Sequence, residues 1–159
     1  MIFSFFLATV SLFYYVSTPA VAMREQPKSE SEVVSQAYFS EEVSLLDTFQ
    51  DWVKIETTVD HYQGWVPRNA LVERETSFLT GLDARVAKID RCQAHLYSVE
   101  DTVYGPVATL PFESKLEVLE PKQESSSRWI KVALVDGREG YIQRGDISLD
   151  RSPLSREET

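Results

Sequence analysis

The chain has 159 residues, of which 43% are hydrophobic and 26% charged, and its formal net charge is −9 at pH 7. This apolar content is enough for a buried core and excludes wholesale disorder, and six glycines and seven prolines exclude a collagen-like or linker-dominated chain. The length suits one ordinary domain or two small ones. The excess of carboxylates argues against nucleic-acid binding, because that affinity comes from cations that neutralise phosphates.

The N-terminal segment is apolar and has no charged side chain before Arg24. We interpret residues 1–15 as an apolar extension or a signal-like segment that is too short to span a bilayer, which takes about 20 residues. The pattern Ala20-Val21-Ala22 is typical of a signal-peptidase site, yet no cation precedes the apolar stretch. Cleavage before residue 23 therefore stays open. The chain is expected in the cell envelope or periplasm if the segment is a signal, and in the cytoplasm if it is not.

An internal repeat runs through the rest of the chain. The tetrapeptide WVKI at Trp52 recurs as WIKV at Trp129, and the octapeptide GWVPRNAL at Gly64 recurs as GYIQRGDI at Gly140. The repeat predicts two copies of one fold.

Upstream of the tryptophans, apolar positions match at one constant spacing that is slightly shorter than the spacing of the two glycines. The difference falls in the polar stretch 123–128, which is typical of a surface loop where insertions are tolerated. We call the shorter spacing the upstream offset. It pairs Val34 with Val107, Met23 with Leu96, Phe39 with Phe112 and Val43 with Leu116.

Both copies are predicted to consist of short strands. Period-two alternation and frequent β-branched and aromatic residues favour strands, and no stretch of ten or more residues has helical spacing. We therefore predict an all-β fold of two tandem small β-barrels, with the first strand at residues 16–24. The predicted division is a first domain at residues 16–72, a linker at 73–88 with an apolar clip around Phe78, a second domain at 89–148 and a C-terminal linker at 149–159.

The first copy resembles a bacterial SH3-type (SH3b) domain in the order of a strand, an acidic loop, the strand at Trp52 and the segment YQGW at residues 62–65. With residues 21–27 included, it is similar to the first of two SH3-type domains that precede the catalytic domain of NlpC-type cysteine peptidases. The resemblance implies tandem SH3-like barrels that recognise and position a peptidoglycan stem peptide for a γ-D-glutamyl endopeptidase. That family's catalytic Cys and His lie in a following domain, so we expect no enzymatic activity from these residues alone. Whether such a domain follows Thr159 stays open.

The resemblance also implies a substrate site. In the similar peptidases, an acidic residue and a tyrosine of the first SH3-type domain hold the free amino group of an L-Ala-γ-D-Glu-diaminopimelate peptide, and the matching positions here are Glu25 and Tyr62. An ammonium group favours a carboxylate and a second oxygen acceptor beside an aromatic wall. The second copy has Ser98 at the position of Glu25, so it is not expected to duplicate the site. The alternative is that Glu25 is an ordinary loop carboxylate and Tyr62 a rim aromatic.

Other candidate sites are weaker. Cys92 and His95 are three residues apart, which places them on opposite faces of a strand and argues against a nucleophile–base pair. His61 and His95 lie in different copies without ligand spacing, so we expect no metal site, and no motif calls for a cofactor. The single cysteine excludes an intrachain disulfide.

Four aromatic residues are assigned by their place in the repeat. Phe39 and Phe112 are predicted to be core residues, because both copies keep them in an apolar context. Trp52 and Trp129 are interpreted as barrel-rim packing rather than as ligand platforms. Neither copy has the paired tryptophans with which signalling SH3 domains bind polyproline. The remaining alternative function is a stand-alone SH3-like module that binds a protein or the cell wall.

Overall fold

The computed structural model describes residues 11–79, 85–120 and 127–150. The predicted all-β fold is confirmed, since these residues form strands joined by turns and single 3₁₀ turns. The strands of the N-terminal barrel are β1 (Phe13–Val16), β2 (Ala20–Arg24), β3 (Val33–Tyr38), β4 (Glu42–Phe49), β5 (Trp52–Thr57), β6 (Gln63–Pro67) and β7 (Leu71–Arg74). They form one curled antiparallel sheet in the order β3-β2-β6-β5-β4-β1-β7.

The C-terminal barrel has the same strand succession but a divided sheet. Its strands are β8 (Val86–Ile89), β9 (Gln93–Leu96), β10 (Ala108–Pro111), β11 (Lys115–Val118), β12 (Trp129–Ala133), β13 (Glu139–Gln143) and β14 (Ile147–Asp150). Five of them pair in the order β13-β12-β11-β8-β14, and β9 pairs with β10. A bridge between Tyr97 and Tyr141 joins the two sheets.

The same backbone hydrogen bonds recur in both barrels at the upstream offset that the sequence indicated. In the N-terminal barrel, the Phe39 N–H donates to the Pro19 carbonyl at 3.1 Å. In the C-terminal barrel, the Phe112 N–H donates to the Cys92 carbonyl, also at 3.1 Å. Phe112 and Cys92 follow Phe39 and Pro19 by the upstream offset, so the two bonds are equivalent. The two barrels therefore share the same turn at this place.

The prediction of a single first strand at residues 16–24 is wrong. The chain forms two strands, β1 and β2, separated by residues 17–19. Pro19 has no N–H to donate to a ladder, and the Ser17 N–H donates to the Ala70 carbonyl at 2.9 Å, at the start of β7. The chain therefore turns between these strands, and β1 pairs with β4 and β7 instead of extending β2.

The strands also extend past the predicted domain limits. β1 begins at Phe13, within the segment interpreted as an extension, and β7 runs two residues beyond residue 72. β8 begins within the predicted linker, and β14 includes the first two residues of the predicted tail. Residues 1–10, 80–84, 121–126 and 151–159 lie outside the described residues, and residues 123–126 of the predicted insertion loop are among them.

Two buried clusters form the core, and one of them joins the barrels. The first cluster belongs to the N-terminal barrel and consists of Val16, Met23, Ala37, Val43, Val53, Ile55 and Val66. The second contains the core of the C-terminal barrel together with Tyr15, Phe39 and Phe78. The Phe78 N–H donates to the Tyr15 hydroxyl at 2.9 Å, and the two rings pack edge to face. The linker thus fastens β1 to the core of the C-terminal barrel.

The prediction that Phe112 is a core residue is wrong. Phe112 is 54% exposed, whereas its repeat counterpart Phe39 is 2% exposed and buried as predicted. Phe39 is buried because it lies in the cluster shared with the C-terminal barrel. The two barrels do not pack symmetrically, so equivalent positions in the repeat differ in burial.

Candidate functional site

The topology brings Glu25 and Tyr62 to the same end of the N-terminal barrel. Glu25 directly follows β2, and Tyr62 directly precedes β6. These strands are antiparallel, with Arg24 opposite Trp65, so the end of β2 lies beside the start of β6. Both side chains are exposed, Tyr62 by 55%. Within the described residues no hydrogen bond engages either side chain, which leaves the carboxylate and the phenol oxygen accessible to a ligand.

Hydrogen bonds hold the loop that begins at Glu25. The Glu25 N–H donates to the Glu32 carbonyl at 3.0 Å, and the Arg24 guanidinium donates to the Ser31 carbonyl at 2.7 Å. The Ser31 hydroxyl accepts from the Gln26 N–H at 2.9 Å, and Ser31 is buried although most of the loop is exposed. These bonds join the start of the loop, including the Glu25 backbone, to its end at residues 31–32.

A buried threonine fixes the backbone of Tyr62. The Tyr62 N–H donates to the Thr57 hydroxyl at 3.0 Å, and the Thr57 N–H donates to the Tyr62 carbonyl at 3.0 Å. Thr57 is 1% exposed, and its hydroxyl also donates to the Asp60 carboxylate. The exposed phenol ring is thus carried on a turn whose backbone is anchored to the end of β5.

Cys92 and His95 lie in the C-terminal barrel, whereas His61 directly precedes Tyr62 in the chain. His95 pairs through Nδ1 with the Thr109 hydroxyl at 2.9 Å, whereas Cys92 is exposed in the turn before β9. His61 lies 3.5 Å from the Glu56 carboxylate. Among residues 11–79, 85–120 and 127–150, no three His, Cys, Asp or Glu side chains are grouped as metal ligands.

The two tryptophans at the rims are half-buried. Trp129 packs edge to face against Tyr97 with 5.4 Å between ring centroids, and the Arg128 guanidinium lies over its ring. These contacts agree with the interpretation of Trp129 as barrel-rim packing. In the part of the chain that the structure describes, no helix is long and apolar enough to cross a membrane.

Comparison with known proteins supports an SH3-type assignment for the N-terminal barrel. Residues 23–71 match a family model described as the bacterial dipeptidyl-peptidase SH3 domain, a range that contains both Glu25 and Tyr62. No curated protein matches the chain in sequence.

Solved structures support the fold of the chain. A crystal structure of an NlpC/P60 family protein from Bacillus cereus ATCC 10987 superimposes with a TM-score of 0.69 at 16% identity, covering 89% of this chain and 57% of that one. The proteins NlpC2 and NlpC1 from Trichomonas vaginalis have TM-scores of 0.33 and 0.34 at 12% and 14% identity. They cover 87% and 89% of this chain and 48% and 47% of their own chains, and TM-scores this low do not indicate a shared fold. The chain therefore spans little more than half the length of the Bacillus protein, whose fold it shares over most of its own residues.

Proposed function

We propose that the chain is the noncatalytic substrate-recognition region of a peptidoglycan stem-peptide γ-D-glutamyl endopeptidase whose catalytic domain is of the NlpC type. The observation that carries the proposal is the match of residues 23–71 to the bacterial dipeptidyl-peptidase SH3 domain. The two residues assigned to substrate binding, Glu25 and Tyr62, both fall within that match and lie at one end of the same barrel.

The chemistry of this end of the barrel suits a primary amine. The Glu25 carboxylate accepts up to two charge-assisted hydrogen bonds from an ammonium group, and the phenol oxygen of Tyr62 offers a second acceptor. A ligand that carries a free L-alanine amino group meets both requirements. A stem peptide still linked to glycan has an amide at that nitrogen, so the enzyme is expected to act on freed stem peptides.

Both side chains are exposed, so the proposal includes a second protein surface that covers the bound ammonium group. An ion pair at an exposed carboxylate contributes only about 0–1 kcal/mol, because water screens the charges. Covering the same pair with another protein surface lowers the local dielectric and strengthens it. We assign this role to the catalytic domain, so the chain alone is expected to bind the stem peptide weakly.

The test uses the chain joined to an NlpC-type catalytic domain and assayed on L-Ala-γ-D-Glu-diaminopimelate. Glu25→Gln is expected to lower kcat/KM by about tenfold or more, because it removes a charged acceptor from an enclosed ammonium group. Tyr62→Phe, which removes only the phenol oxygen, is expected to cost about fivefold.

Glu30→Gln is the matched control, since it removes another exposed carboxylate from the same loop and should leave kcat/KM unchanged. If Glu25→Gln and Tyr62→Phe both retain the turnover of the parent, the assignment of these residues to the substrate site is wrong. If Glu30→Gln loses as much activity as Glu25→Gln, the loop acts through its overall charge rather than through one carboxylate.

A further inference from the structure

A cleft of about 950 Å³ lies between the two barrels, separate from Glu25 and Tyr62. Two of its walls are the equivalent turns of the two copies, residues 38–42 and residues 111–115, which are related by the upstream offset. Residues 58–60 and 77–79 also line the cleft. The Lys115 N–H donates to the Ser40 hydroxyl at 2.8 Å and ties the two turns together. A cleft of this volume is within the range of sites that take small molecules and short peptides.

Apolar side chains are left exposed within the cleft. Phe112 is 54% exposed and Tyr38 48% exposed, one from each wall, and Val59, which also lines the cleft, is 84% exposed. Phe39, also in the lining, is buried, so Phe112 is the member of the repeated pair that keeps its ring accessible. Two exposed aromatic residues that line one concave space favour a ligand with an apolar or aromatic group.

The ionisable side chains of the cleft differ between its walls. The N-terminal barrel contributes three carboxylates, Glu41, Glu42 and Asp60, and the C-terminal barrel contributes two lysines, Lys88 and Lys115, with Glu113. Burial raises the pKa of Glu41, and the nearby Asp60 raises it further, whereas the hydrogen bond from the Tyr38 N–H lowers it.

The clearest contrast is between positions 42 and 115. They are equivalent in the repeat, and one carries Glu42 while the other carries Lys115. A ligand in the cleft therefore meets a carboxylate on one wall and an ammonium group on the other at matching places in the two turns.

We propose that this cleft binds a short unblocked peptide with an apolar side chain. Its ammonium group is held by the wall that carries Glu42, its carboxylate by Lys115, and its apolar group packs between Tyr38 and Phe112. A zwitterion satisfies both walls, whereas a simple cation or anion would satisfy one and leave the other unpaired. This site uses the chain alone and does not depend on the catalytic domain of the proposed function.

The test titrates the ¹⁵N-labelled chain with three forms of one probe: L-alanyl-L-phenylalanine, its N-acetyl derivative and its C-terminal amide. The free dipeptide is expected to shift the amide resonances of Ser40 and Glu113, and to bind at least about fivefold more tightly than either blocked form, because each blocked form loses one charged contact. Equal affinity for all three forms, or no binding at about 10 mM, would overturn the proposal.

Matched variants connect each wall to one end of the probe. Glu42→Gln is expected to weaken binding of the free dipeptide about fivefold and to leave the affinity for the N-acetyl derivative unchanged. Lys115→Gln is expected to weaken binding of the free dipeptide by the same factor and to leave the affinity for the C-terminal amide unchanged. The backbone bond from residue 115 to Ser40 does not involve the lysine side chain, so this variant keeps the turns joined.

Phe112→Ala should weaken all three forms by about tenfold, because it removes a ring that every form contacts. Lys28→Gln, an exposed charge change outside the cleft, serves as the control and should change none of the affinities. If Phe112→Ala fails to fold, the two charge variants still decide the question. Resonance shifts centred on Glu25 and Tyr62 instead of the cleft would contradict it.

Discussion

Replacing Gly140 with alanine is expected to lower the free energy of unfolding by about 3 kcal/mol, because overpacking a close contact forces the backbone to move. A Cβ at this position would lie 2.7 Å from Leu96 Cγ and 2.7 Å from the Tyr97 carbonyl oxygen. That oxygen cannot yield easily, since Tyr97 exchanges two backbone hydrogen bonds of 2.8 Å with Tyr141. Urea denaturation followed by circular dichroism measures the loss.

The repeat supplies a related variant and a control. Gly64→Ala is expected to cost about 2 kcal/mol, because its Cβ would lie 2.8 Å from Met23 Cβ and 3.3 Å from the Arg24 nitrogen. Gly145 has no atom within 4 Å of the same position, so Gly145→Ala should change stability by less than about 1 kcal/mol. Equal stability of the Gly140 and Gly145 variants would contradict the close packing of β13 on residues 96–97.

Replacing Phe78 with alanine is expected to lower the free energy of unfolding by about 3–4 kcal/mol, the cost of truncating a buried aromatic residue. Phe78 lies in the cluster that contains the core of the C-terminal barrel, packs on Tyr15 and receives the Arg74 guanidinium over its ring at 5.1 Å. Because it connects β1 to the other barrel, its loss should also separate their unfolding. Calorimetry should then resolve two transitions in place of one.

Val103→Ala is the control for this truncation. Val103 is 70% exposed, so the variant's free energy of unfolding should lie within about 0.5 kcal/mol of the parent's. It should also unfold in the same number of transitions as the parent. A Phe78→Ala protein that melts like the Val103 variant would contradict the role of the linker in joining the barrels.

The repeat made much of the fold predictable from the sequence. Matching glycines identify positions where two strands approach closely, and the contacts that a Cβ would make at Gly64 and Gly140 fall on Met23 and Leu96, which the upstream offset had paired. Alternating apolar residues were enough to indicate strands, because each sheet buries one face. The break between β1 and β2 could have been anticipated from Pro19, which has no N–H for a strand ladder.

What the repeat could not supply was the packing of one barrel on the other. The apolar context of both repeat positions predicts that Phe39 and Phe112 are core residues, but the burial of Phe39 depends on the cluster shared with the C-terminal barrel. The inter-barrel cleft has the same origin, since two of its walls are equivalent turns of the two copies that meet only in the folded chain. Periodicity within a strand carries no information about such contacts.

The positions of Glu25 and Tyr62 were assigned from family resemblance rather than from a chemical pattern. They lie far apart in the chain and belong to different strand ends, so nothing in their spacing indicates a common site. Their shared location follows from the antiparallel pairing of β2 with β6, which the sequence did not specify.

The measurement that tests the proposed function most directly is the preference of the peptidase-fused chain for a free amine. In the parent, kcat/KM for L-Ala-γ-D-Glu-diaminopimelate should be more than about tenfold higher than kcat/KM for its N-acetyl derivative. This difference is expected for an enclosed charged hydrogen bond. In Glu25→Gln the ratio should fall towards one, because the neutral amide no longer distinguishes the two substrates by charge. A parent that cleaves both peptides equally well, or a Glu25→Gln variant that keeps the full preference, would contradict amine recognition by this barrel.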